Sequence, residues 1–164
     1  EAMASLGTLT LLYRDTLTQT ALAPQLQRLW QEKLGLTVTL QGEPDETYQQ
    51  MLSGGEFTLA LTELTALYND AAAYLDPWRS GDSHNYALIY MNAYDILMRV
   101  AAASTSPEAR DAYLKDAEWL LLDTANVIPL YGVQQPYQIR EDIAGTISDG
   151  MGAWYFGSAR RVTK

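Results

Sequence analysis

The only histidine, His84, directly follows Asp82 and Ser83. These are the residue types of a Ser, His and acid triad, in which the acid orients the imidazole and the imidazole takes the serine proton. Three consecutive side chains do not present themselves to one another in that way, and the flanking Gly81 and Asn85 mark a turn. His84 is therefore expected to serve the turn and not to act as a base. Cysteine is absent, which removes thiolate nucleophiles, disulfides and Cys/His zinc sets together. The 20 acidic residues are scattered over helix ends and loops without calcium-loop spacing, so no metal site is expected. Paired-carboxylate chemistry stays open, because many pairs exist and none is singled out. Gly54-Gly55 lacks the Gly-Lys-Ser/Thr of a phosphate loop and reads as a helix stop. No catalytic residue, cofactor or metal ligand is assigned. What remains is aromatic and polar lining, which suits binding more than turnover.

Composition narrows the partners. A formal charge of −9 over 164 residues, without a basic patch, argues against nucleic acid, because phosphate contacts require clustered lysine and arginine. Arg160, Arg161 and Lys164 form the one basic cluster and read as a solvated tail. No apolar window reaches the roughly 18 residues of a membrane span, so no membrane insertion by this chain is expected. The length fits one domain. Residues 1–7 read as a frayed leader, and Glu1 in place of Met suggests a processed or excised segment.

The elements that must position a binding surface follow from periodicity. Leu9–Tyr13 reads as a buried strand, followed by a polar loop in which Thr18 or Thr20 caps a helix running to Leu34. Leu22, Leu26, Leu29 and Trp30 form that helix's apolar face, Pro24 belongs in its first turn, and Gly35 ends it. Leu36–Leu40 alternates as a second strand, and the helical crossover makes it a parallel neighbour of the first. A second helix begins near Pro44, buries Tyr48, Met51 and Leu52, and stops at Gly54-Gly55; Phe57–Thr62 is a third strand. Strands alternating with helices give an α/β class with a mainly parallel sheet flanked by helices.

From Glu63 to Tyr90 the pattern dissolves into polar residues with scattered tyrosines, around a short helix at Ala71–Leu75. Irregular segments after parallel strands are where α/β proteins bind ligands. Helix resumes near Asn92 and runs to Ala103, with Tyr94, Leu97, Met98 and Ala101 inward. The last helix is capped by Ser106, opens on Pro107 and buries Ala109, Tyr113, Ala117, Leu120 and Leu121. The stretch Ala117–Tyr131 joins its end, a break at Asn126, and a branched apolar run, Val127–Tyr131. That run reads as a strand which Pro129 confines to an edge or a bulge. A further strand is expected at Tyr137–Arg140.

Taken in order, Leu9–Tyr13, Leu34–Leu40, Tyr48 with Leu52, Gly55 and Phe57, Asn92 with Tyr94-Asp95 and Leu97, Ala117-Glu118 through Ile128–Tyr131, and Trp154 with Phe156 and Ala159 carry a resemblance. The chain resembles the C-terminal lobe of the extracytoplasmic solute-binding proteins of bacterial ABC importers, in the oligopeptide and dipeptide family. The resemblance implies a lobe like those of type II periplasmic binding proteins over residues 8–145. Residues 146–164 would then return to the other lobe. Implied partners are a peptide or related small solute, the other lobe of the parent protein and an ABC permease, with an extracytoplasmic location and lipid anchoring through the parent chain. An alternative keeps the lobe as the ligand-sensing domain of a bacterial transcription regulator; a free-standing hydrolase dependent on His84 is a third reading.

By position the ligand-facing residues are Thr65, Tyr68, Asn69, Asn85 and Tyr86, giving hydrogen bonds and aromatic contacts. Two departures stand out. Peptide-binding relatives carry Gly-Trp after the third strand and then an Asp that pairs with the peptide amino terminus. Here Glu63-Leu64 and Leu67 occupy those places, with Asn69 and Asp70 nearby. The segment Tyr90–Asp95 is also one residue shorter than the usual spacing.

Overall fold

A computed structural model describes residues 9–133 and 136–162; the expected leader over residues 1–7, and Lys164, lie outside them. The described chain forms two compact units. The first runs up to Leu64 and includes Ser80–Tyr90; the second joins Thr65–Arg79 to the chain from Met91 onward.

The first unit is built on strand β1 (Leu9–Arg14), the middle of a three-stranded parallel sheet in the order β2-β1-β3. Successive residues of a strand point to opposite faces. Leu11 therefore enters one core cluster with Ala23, Leu26, Val38 and Leu61, while Leu12 enters the other with Tyr48 and Leu52. Helix α1 (Leu17–Leu34) supplies Ala23 and Leu26 to one face, and α2 (Asp45–Gly54) supplies Tyr48 and Leu52 to the other. Strand β2 (Val38–Glu43) pairs in register with β1, Leu9 opposite Val38 and Arg14 opposite Glu43.

Strand β3 is shorter than its apolar run, Leu59–Leu61. The Thr58 hydroxyl takes over the ladder there, accepting from Thr10 N at 2.7 Å and donating to Thr10 O at 2.8 Å.

Three expectations change in α1, and the second strand begins at Val38 and not at Leu36. The cap of α1 is Thr16, whose side chain accepts from Gln19 N, so the helix begins earlier than Thr18 or Thr20 would allow. Pro24 consequently lies inside the helix and not in its first turn, where it removes one internal donor. The inward stripe is Gln19, Ala23 and Leu26, with Trp30 partly buried; Leu29 turns outward at 47% exposure. Gly35 and Gly55, at φ of 67° and 70°, end α1 and α2 in the left-handed conformation expected of them.

In the second unit, α3 (Ala72–Leu75) leads into a 3-10 turn at Asp76–Trp78, followed by α4 (Asn92–Ala103) and α5 (Pro107–Asp123). Tyr94, Met98 and Ala101 of α4 are buried, as are Leu114, Ala117 and Leu121 of α5. Leu114 was not in the expected stripe, and Leu120 and Tyr113 are only half-buried. Tyr94 is fully buried, and its hydroxyl donates to the Leu75 carbonyl at 2.6 Å, tying α4 to the end of α3; burial pushes its phenol well above the usual tyrosine range.

The expected strands at Val127–Tyr131 and Tyr137–Arg140 do not form. Residues 127–133 are irregular, with Ile128, Leu130 and Tyr131 exposed at 63%, 44% and 58%. A strand needs a ladder partner; this run finds none among the described residues, and Pro129 withholds a donor. The break after α5 falls at Ala125, in the left-handed region at φ 52°.

The chain closes on two short antiparallel pairs, β4 (Ile143–Ala144) with β7 (Arg160–Arg161) and β5 (Ile147–Ser148) with β6 (Trp154–Tyr155). Arg161 is thus solvated, as expected, but stands in a strand and not in a tail: its Nε donates to Asp142 at 2.8 Å, beside the two-pronged contact of Arg140 with the same carboxylate. Gly145, at φ +85°, passes so close to the Ser158 carbonyl that a Cβ would collide with it.

Two outcomes follow for urea unfolding. Leu12→Ala is expected to cost about 2–5 kcal/mol and Leu29→Ala less than about 0.5 kcal/mol, which separates the inward from the outward side of this unit. Gly145→Ala is expected to cost about 1–3 kcal/mol through backbone strain and the Ser158 clash.

Candidate functional site

Thr65, Tyr68 and Asn69 come together in the second unit, where they line a half-open concavity of about 250 Å³ with Asp70, Tyr74, Gly150 and Met151. The segment has little regular structure of its own and is held by side chains. Asp70 Oδ1 accepts from Ala72 N at 2.8 Å, ordering the start of α3, and from Arg110 Nη2 of α5, also at 2.8 Å. The Tyr68 hydroxyl donates to Asp76 Oδ2 at 2.7 Å, and Trp78 Nε1 donates to the Tyr74 carbonyl at 3.0 Å. On the facing wall Asp149 Oδ1 accepts from Met151 N at 2.8 Å and Ala153 N at 3.1 Å, shaping the turn that presents Gly150 and Met151. The tyrosine rings remain about half exposed, so the concavity offers aromatic surface with polar groups between.

Asn85 and Tyr86 belong to the first unit. Asn85 is buried, and its amide is used on the chain itself: Nδ2 donates to the Ile89 carbonyl at 2.7 Å and Oδ1 accepts from Ile89 N at 3.0 Å. This closes the turn that carries Leu88 at a positive φ of 50°. Tyr86 packs against the Leu12, Tyr48 and Leu52 cluster.

The same unit holds a polar group that the sequence reading passed over. With β2 on one side of β1 and β3 on the other, the chain reverses its winding between β1 and β3, and the carboxyl ends of such strands form a natural binding crevice. Arg14 ends β1 there. Its guanidinium carbon lies 5.5 Å from the centre of the Tyr48 ring, and its Nε lies 3.4 Å from Asp45 Oδ1 without making a hydrogen bond. Gln19, only 2% exposed, spends both ends of its amide: Oε1 accepts from Arg14 N at 2.8 Å, and Nε2 donates to Glu63 Oε1 at 3.4 Å. The Tyr48 hydroxyl donates to the Leu61 carbonyl at 3.0 Å, and burial pushes its phenol up to about 12, so it stays neutral at physiological pH. A planar guanidinium set over an aromatic ring, with Asp45 at its Nε, keeps the fork geometry that suits a carboxylate. The missed signals were an arginine at the end of a central strand and a glutamine on the inward stripe of α1.

Asp82, Ser83 and His84 do approach one another, contrary to the expectation from their adjacency. Both Asp82 Oδ1, at 3.1 Å, and Ser83 Oγ, at 3.4 Å, meet the same nitrogen, His84 Nδ1. A proton relay needs acid and hydroxyl on opposite ring nitrogens, so this arrangement cannot pass a proton from serine to a base held by the acid. Among the described residues no group of His, Asp and Glu is placed to hold a metal, and no helix is long and apolar enough to cross a membrane.

The Arg110 guanidinium holds the Asp70 carboxyl below its usual range, with the Ala72 amide adding to the effect. A carboxylate lowered in the folded state stabilises it above the unfolded value, and that contribution disappears as pH falls through the folded value. Thermal melts between about pH 6 and pH 2 should therefore show a loss of Tm on acidification that is smaller in Asp70→Asn than in the parent chain. Asn85→Ala, which strands two buried backbone groups of Ile89, is expected to cost about 2–4 kcal/mol in urea unfolding.

No family model matches the chain. It is 28% identical over 123 residues to the periplasmic murein peptide-binding protein MppA of Escherichia coli, covering 75% of this chain and 23% of that protein. It is 32% identical over 117 residues to the probable deoxycholate-binding periplasmic protein YgiS of the same organism, covering 71% and 22%. The crystal structure of Haemophilus influenzae OppA in complex with RPPGFSPFR superimposes with a TM-score of 0.79 at 21% identity, over 95% of this chain and 31% of that one, which shows a shared fold. The chain thus spans about a quarter of the length of the curated relatives it matches. With further relatives among oligopeptide- and dipeptide-binding proteins, this α/β chain matches part of one lobe of the oligopeptide and dipeptide family of solute-binding proteins.

Proposed function

We propose that the chain is the ligand-binding part of one lobe of an ABC-importer solute-binding protein that captures peptides or a related small solute for uptake. The observation that carries this reading is the concavity of Thr65, Tyr68, Asn69 and Tyr74, built on the irregular segment after the third parallel strand of a chain whose relatives bind peptides. Binding requires no chemistry from the protein, which agrees with a His84 whose neighbours crowd one nitrogen. In this reading residues 8–145 form the lobe and residues 146–164 return towards the other lobe of the parent protein. The lobes close over the solute, and the closed form delivers it to the permease. The location is extracytoplasmic, in keeping with the periplasmic relatives, with a lipid anchor carried by the parent chain.

Within the first unit, Arg14 is the group we assign to a solute carboxylate, and Tyr86 offers an aromatic contact. The deoxycholate named for one relative keeps a second solute class in view, a small amphipathic acid.

Native mass spectrometry of the full-length protein, purified without denaturation, tests the reading. A ladder of peptide masses is expected. A single non-peptide mass would retain the importer role and replace the solute class, whereas a protein that neither carries nor takes up any solute would overturn the reading. Arg14→Met should weaken binding of peptides with a free carboxyl terminus by about tenfold or more in calorimetric titrations, with little effect on their carboxyl-terminal amides.

A further inference from the structure

The charges bordering the second-unit concavity are already matched by charges of the same unit. Asp70, the one acid among its lining residues, shares Oδ1 between Arg110 Nη2 and Ala72 N, each at 2.8 Å. Asp76, which holds Tyr68 in place, has Oδ2 on the Tyr68 hydroxyl at 2.7 Å and Oδ1 at 3.7 Å from Arg79 Nη1. These two acids therefore stand against two arginines, and Asp149 beside Gly150 and Met151 spends its Oδ1 on the Met151 and Ala153 amides. An ammonium arriving at Asp70 would meet the repulsion of Arg110 beside the attraction of the carboxylate, so the pair as a whole offers it no net charge.

The groups left for a ligand are neutral. No hydrogen bond within the described residues engages the side chains of Thr65 or Asn69, so a hydroxyl and a carboxamide, each able to donate and accept, face the space. Tyr68 and Tyr74, at 45% and 52% exposure, and Met151, at 40%, supply apolar surface beside them. Leu67, 91% exposed, adds no charge.

We infer that this concavity receives an uncharged, hydrogen-bonding part of the solute, an amide or an acylated amine, and not a free ammonium. The inference rests on the proposed role as a peptide-capturing lobe and narrows its solute class. The Asp70–Arg110 pair acts as the gate on charge: the arginine already engages the acid that lines the concavity.

Two peptide pools test it in the full-length protein: tripeptides with free amines, and the same sequences N-acetylated, both with free carboxyl termini and both read by competitive native mass spectrometry. The wild-type protein should retain the acetylated pool at least as well as the free pool. Arg110→Gln, which leaves Asp70 without its arginine, should shift the preference towards free amines by about tenfold, and Asp70→Asn should not. Circular dichroism melts of both variants establish that each is folded, and Asp70→Asn removes the same ion pair as Arg110→Gln, so pair loss alone cannot account for a difference between them. A wild-type preference for free amines that vanishes in Asp70→Asn would overturn the inference and leave the importer role intact. Retention of neither pool would overturn the peptide reading and this inference with it.

Discussion

Strand β1 is buried on both faces, and most of the first unit follows from that. Leu11 and Leu12 are adjacent, point in opposite directions and are 2% and 0% exposed. A central strand of that kind requires cover above and below, so α1 and α2 lie on opposite faces, and β2 and β3 flank β1 on opposite sides. The reversal of winding this creates opens the carboxyl ends of β1 and β3, where Arg14, Gln19 and Glu63 collect. The polar cluster at these strand ends is thus a consequence of how the core is covered.

The second unit solves a different problem, ordering an irregular segment with few backbone ladders of its own. Its two long helices bury Tyr94, Met98, Ala101, Leu114, Ala117 and Leu121, and Tyr94 ties α4 to α3 through the Leu75 carbonyl. Half-exposed ion pairs such as Asp70 with Arg110 contribute little stability singly. Their value here lies in geometry, since one carboxylate oxygen serves both the first turn of α3 and a guanidinium from α5. The same economy recurs at Asp149, whose oxygen organises the turn around Gly150 and Met151, and at Asp142, which joins Arg140 to Arg161. At these three places the acid is spent on the chain's own amides and arginines.

Such an arrangement suits a binding surface more than a reaction centre. Rigid aromatic rings and neutral hydrogen-bonding groups recognise a solute without being consumed, and matched charges select against ligands that would need an unmatched one. The Asp82, Ser83 and His84 turn illustrates the contrast: the residue types of a triad are present and close, yet two of them compete for a single nitrogen.

Local pattern alone determined the strand and helix order through α5, the α/β class, the ends of α1 and α2 at Gly35 and Gly55, and the Ser106 cap, because these depend on local sterics and on which residues are apolar. It misread Val127–Tyr131 and Tyr137–Arg140, since a strand exists only with a ladder partner and no local pattern reports one. It misplaced the start of α1 because Thr16 and Thr18 are equally good caps in isolation, and only the inward fit of Gln19, Ala23 and Leu26 chooses between them. Arg14, Gln19 and Glu63, and the pairing of Asp70 with Arg110 across 40 residues, were decided by tertiary structure. Which polar residues meet is a matter of distance between elements, and sequence spacing carries that information only within a single helix or strand.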